Sequence, residues 1–146
     1  SHWKLCVCLV HPQHKFLQGR IFELTAWFIE GKWRYRKEKK MNYVFDIDGT
    51  ICSKSDGDYS KAQPFQERID HINNLYDMGH TIVFHTARGM GRTGNDPVTA
   101  IEMFYDYTRD QLNFWGVKYH ELFLGKPSGD IYIDDKGMMD DDYFNN

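Results

Sequence analysis

The chain has 146 residues, the size of one ordinary domain, and its 41% hydrophobic and 16% aromatic content is far from that of a disordered chain. Charge is unevenly placed: residues 1–40 hold nine Lys/Arg and three Glu, whereas residues 41–146 hold nine Lys/Arg and 18 Asp/Glu. No apolar run nears the ~20 residues of a spanning helix, and Cys6, Cys8 and Cys52 are too few for a disulfide framework, so a soluble cytoplasmic protein without a membrane partner is expected.

Residues 1–40 read as an N-terminal appendage. Leu5–Val10 is too short for a secretory core, and residues 22–36 suggest a hairpin turning near Glu30-Gly31-Lys32. His2, Cys6, Cys8, His11 and His14 invite a zinc reading, but Cys-x-Cys is not finger spacing and no second ligand pair follows. The basic run Arg34–Lys40 reads as a solvated surface. From Met41 the pattern becomes α/β. Tyr43–Ile47 and Thr81–His85 are short apolar runs, as buried parallel strands are. Between them, a helix opens at Pro64, presents Ile69, Ile72, Leu75 and Tyr76 on one face, and stops at Gly79. Asp96-Pro97 starts a second helix, running to about Trp115, with Ile101, Phe104, Tyr105, Thr108 and Leu112 facing a core. Glu121–Leu124 and Asp130–Ile133 read as third and fourth strands. The order predicts a three-layer, Rossmann-like open parallel sheet with covering helices over residues 41–146.

Reactive groups in such sheets gather beyond the C-terminal ends of the strands. Those positions are Asp46 and Asp48 after the first strand, Thr86 to Arg88 after the second, Lys126 after the third, and Asp134 and Asp135 after the fourth. Four carboxylates in one small space repel one another unless a cation joins them. Hard oxygen ligands suit Mg²⁺, which pairs with phosphate oxygens. The set therefore calls for a metal and an anion together.

Asp46-Ile47-Asp48-Gly49-Thr50, Thr86, Lys126 and Asp134-Asp135 resemble, in order and spacing, the four motifs of the haloacid dehalogenase superfamily. The resemblance covers residues 42 to about 144. Thr86-Ala87-Arg88-Gly89-Met90, Trp115–Leu122 and Gly125–Lys136 look closest to small members found among capsule and polysaccharide biosynthesis genes. It implies a Mg²⁺-dependent phosphatase working through a phospho-aspartate. Asp46 would be the nucleophile and a metal ligand. Asp48 would exchange protons with the leaving oxygen and the water, its carbonyl reaching the metal. Thr86 and Lys126 would hold the phosphoryl oxygens, with Ala87 and Arg88 beside the substrate. Asp134 would complete the metal site, with Asp135 as ligand or neighbour.

Arg88 has two readings from sequence, a substrate anion or Asp96 as its partner. His85 and His120 read as packing histidines, and Gly89, Gly91 and Gly94 do not form a dinucleotide fingerprint. Only about a dozen residues separate Thr50 from Pro64, too few for a cap domain. The expected substrate is a sugar phosphate or related small metabolite, with a second copy of the chain as a candidate for closing the uncapped site. A nucleic-acid 3′-end phosphatase is the alternative, since residues 86–97 also resemble that class, but the acidity of residues 41–146 opposes a nucleic-acid groove. A non-catalytic partner module or auxiliary domain of a biosynthetic enzyme is the third reading.

Overall fold

The computed structural model describes residues 24–29, 31–37 and 39–146. The candidate zinc ligands His2, Cys6, Cys8, His11 and His14, and the run Leu5–Val10, lie outside the described residues. The chain divides into two compact units, Ser1–Glu38 and Lys39–Asn146. In the first, strands β1 (Leu24–Ile29) and β2 (Lys32–Lys37) pair antiparallel, with Ile29 opposite Lys32. Gly31 lies between them at φ +72°, where a side chain would be strained.

The second unit holds an open parallel sheet of three strands, β3 (Asn42–Phe45), β4 (Thr81–Thr86) and β5 (Glu121–Leu124), in that order across the sheet. Helix α1 (Gln66–Asp77) links β3 to β4 and packs on β4. Helix α2 (Pro97–Phe114) links β4 to β5 and packs on β5. This is the Rossmann-like α/β arrangement expected. Pro64 does not open α1. It forms a bridge with Cys52, and the helix begins only after Phe65. Gly79 at φ +86° ends it. Asp96 caps α2 as expected, its carboxylate accepting from the backbone N–H groups of Val98 (3.1 Å) and Thr99 (3.5 Å). Ala100, Thr108 and Leu112, at multiples of four, are the buried stripe of α2. Ile101 lies off that stripe and is exposed.

Ile69, Ile72 and Leu75 of α1 meet Phe45, Ile82, Phe84, Leu122 and Leu124 of the sheet in one core, joined by Ile47 and Ile51 from the turn after β3. A short helix α3 (Asp140–Phe144) has no buried residue, but Tyr143 and Phe144 pack against this core beside Phe45. Arg68 of α1 fastens α3, donating to Asp140 (2.6 Å) and Asp141 (2.7 Å) and also to the carbonyl of Thr50 (2.9 Å).

The fourth strand expected at residues 130–133 does not form. β3 and β5 are the two sheet edges, and Ile131 and Ile133 are 79% and 96% exposed. The segment satisfies its polar groups locally. The Tyr132 hydroxyl donates to the Pro127 carbonyl (2.6 Å) and accepts from the Gly129 N–H (3.1 Å), folding the chain back on itself.

Candidate active site

β3 runs into a tight turn that sets the first two carboxylates. The N–H groups of Thr50 and Ile51 both donate to the Ile47 carbonyl (3.0 Å each), and Gly49 donates to the Cys52 carbonyl (2.8 Å). Gly49 sits at φ +85°, which the turn requires and an L side chain resists. Asp46 and Asp48 thereby emerge at the strand's C-terminal end. β4, alongside, ends on Thr86. β5, beyond it, is followed by Gly125 at φ +92° and by Lys126, whose N–H donates to the Thr86 carbonyl (3.2 Å).

The Lys126 ammonium stands 3.5 Å from Asp46 Oδ1 and 4.4 Å from the centre of the Tyr132 ring. Burial pushes the Asp46 carboxyl above its ordinary value, opposed by the Lys126 charge and by a backbone hydrogen bond at Ile47. Burial, and then the Lys126 charge, hold the His85 imidazole low. Thr86 is buried, and its Oγ1 accepts from the Arg88 N–H (3.2 Å), leaving its own proton to donate.

A cavity of about 520 Å³ opens over these strand ends. Asp46, Asp48, Thr86, Ala87 and Arg88 line it, with Lys54, Asp56, Tyr59, Arg92 and Ser128 around them. The loop 50–63, too short for a cap domain, still forms one wall through a turn of 3₁₀ helix at Tyr59–Lys61. A second hollow of about 450 Å³ between that wall and α2 contains none of the expected residues.

Arg88 departs from both of its sequence readings. Its side chain is fully buried, and its partner is neither Asp96, which caps α2, nor an open subsite. Nε donates to Asp48 Oδ2 (2.9 Å), Nη2 to Asp48 Oδ1 (3.0 Å) and Nη1 to Gln111 Oε1 (2.7 Å). The Tyr59 ring lies 4.6 Å from the guanidinium carbon. The Cys52 thiol has two acceptors at 3.6 Å, Asp48 Oδ1 and the Ile47 carbonyl. Burial, reinforced by the Asp48 charge, pushes that thiol up to about 12, so it is a packing donor and not a nucleophile. Sequence reasoning missed Tyr59, Gln111 and Cys52. A tyrosine in a polar loop, a glutamine beside a core leucine and an isolated cysteine carry no signal of their own.

Asp134 and Asp135 lie in the exposed segment after residue 129 and do not line the cavity. Asp134 turns to its own backbone: Oδ1 accepts from the Lys136 N–H (2.9 Å), which is first among the causes holding its carboxyl below the ordinary value. Among the described residues no group of three or more His, Cys, Asp or Glu side chains could hold a metal. His120 behaves as a packing residue, stacking on Tyr76 at 4.5 Å and accepting from the Ile82 N–H (3.0 Å).

No family model matches the chain, and no curated protein matches it. The fold is similar to that of a structural-genomics target from Vibrio cholerae solved by crystallography, at 25% identity and a TM-score of 0.66. The match covers 73% of this chain and 89% of that one.

Proposed function

We propose that the chain is a phosphatase of the haloacid dehalogenase type, hydrolysing a phosphomonoester of a small metabolite such as a sugar phosphate through a phospho-aspartate on Asp46. The observation that carries this reading is the partly desolvated Asp46 carboxylate, 3.5 Å from the Lys126 ammonium, in a cavity that Asp48 and Thr86 also line. A carboxylate short of solvation is a stronger nucleophile, and an adjacent ammonium offsets charge on the incoming phosphoryl group. An Asp46 oxygen attacks phosphorus and the ester P–O bond breaks, with the leaving oxygen taking its proton from Asp48. Water then attacks the phospho-aspartate, passes a proton to Asp48, and releases phosphate with Asp46 restored. Thr86 and Lys126 hold the phosphoryl oxygens throughout.

Mg²⁺ is the cation this reading calls for, supplying further charge compensation to the phosphoryl group. Asp46 and the Asp48 carbonyl are suitable donors, but with Asp134 and Asp135 outside the cavity the described residues do not complete a ligand set.

The test is a screen of the purified protein against phosphorylated metabolites and short 3′-phosphorylated oligonucleotides, with Mg²⁺ and with EDTA. Turnover of a small ester, lost in EDTA, is expected. Preference for the oligonucleotides would favour the end-phosphatase reading, against which the surplus of 18 acidic over nine basic residues after position 40 argues. No turnover of any ester would favour a non-catalytic module.

A further inference from the structure

We infer that Arg88 is a positioning residue, orienting the Asp48 carboxyl group for proton exchange with the leaving group and the water rather than binding substrate. The inference rests on the phosphatase reading and on the role given there to Asp48. Both guanidinium contacts to Asp48 are short, 2.9 and 3.0 Å, and use both carboxylate oxygens. A planar fork of this kind fixes the plane of a carboxylate as well as its distance, which a lysine cannot do.

The clamp is itself held. Gln111 of α2 accepts from Nη1 (2.7 Å) and donates its Nε2–H to the Tyr59 carbonyl (2.8 Å), tying helix, loop and guanidinium together. The Tyr59 ring covers the guanidinium at 4.6 Å, and the Tyr59 hydroxyl accepts from the Gly89 N–H (2.8 Å). With its side chain sealed from solvent, Arg88 has little left to offer a substrate. Each Asp48 oxygen accepts one Arg88 N–H, so each keeps a lone pair for a proton exchanged with the cavity. Asp48 lines the cavity, and its side chain is partly open to it.

The test exploits leaving-group chemistry. An aryl phosphate such as p-nitrophenyl phosphate expels a stable phenolate and needs little protonation, whereas an alkyl phosphate must receive a proton as its bond breaks. Comparing kcat/KM confines the measurement to steps up to leaving-group departure. In Arg88→Lys, which keeps the charge and loses the fork, the alkyl ester should lose at least tenfold more than the aryl ester. Gln111→Leu, which loosens the guanidinium without removing either charge, should show the same bias more weakly. It carries the test if Arg88→Lys does not fold. Equal losses on both esters, or no loss, would overturn the inference while leaving an active phosphatase. A parent protein inactive on both esters would instead overturn the phosphatase reading, and this inference with it.

Discussion

Asp46 has two neighbours that pull in opposite directions, a desolvating wall and the Lys126 ammonium. Replacing it by asparagine removes the nucleophile but little volume. Asp46→Asn is expected to keep the circular dichroism and cooperative melting of the parent while turnover falls below detection. Normal turnover would refute the phospho-aspartate. For Lys126, methionine keeps most of the apolar stem and deletes the charge that stands over the Tyr132 ring. In a water-poor site that loss costs roughly 3 kcal/mol, about a hundredfold in kcat/KM. Lys126→Arg should rescue only in part, because a fork replaces a point charge. A methionine variant within about twofold of the parent would remove Lys126 from the chemistry. At this scale the sequence disclosed the residues that follow strands, since strand ends are visible as the limits of apolar runs. The partner of Arg88 was not visible. Asp48 is 40 positions away, and only the turn at Gly49 and the length of an arginine bring them together.

Elements whose signals are local were legible almost to the residue: the Asp96-Pro97 start of α2, the Gly79 stop after α1, and the strand Glu121–Leu124. The strand expected at 130–133 failed because its apolar run says nothing about whether a neighbouring edge will accept it. Ile101 failed for a related reason, since helical spacing allows more than one stripe and packing chose Ala100–Thr108–Leu112. The α2 cap gives a pH-dependent prediction. The Thr99 hydroxyl (2.6 Å), then the backbone N–H groups, hold the Asp96 carboxyl below its ordinary value of 3.8. A depressed folded-state value means that its stabilisation is present above that ordinary value and fades as pH falls through the folded one. Asp96→Ala should therefore melt below the parent at neutral pH, with the gap narrowing once the pH drops under about 3.8. A gap that widened in acid would show that the side chain is not acting as an ionised cap.

The division of the chain into Ser1–Glu38 and Lys39–Asn146 leaves every candidate site residue in the second unit. A chain beginning at Met41 is expected to fold and keep the parent's kcat on the best substrate from the screen. If it folds but is inactive, the first unit contributes to substrate handling. The break in charge and pattern near residue 40 was readable from sequence. How a fourteen-residue loop from Thr50 to Gln63 becomes a cavity wall was not, because that depends on Tyr59 finding Gly89 and Gln111 from another part of the chain.

The ion pairs between Arg68 and the start of α3 have a further consequence, for how the molecule opens. α3 has five residues: its end is held by Tyr143 and Phe144 packed on the core, and its start by the ion pairs of Asp140 and Asp141 with Arg68, which also donates to the Thr50 carbonyl. β4 is hydrogen-bonded on both edges and carries three fully or nearly fully buried side chains, Ile82, Phe84 and Thr86. The two should differ in hydrogen exchange. Amides of α3 open locally, and faster as added salt screens Arg68, whereas those of β4 exchange only when the unit unfolds. The C-terminal turn is in effect an ionic latch set against the loop that carries Asp48.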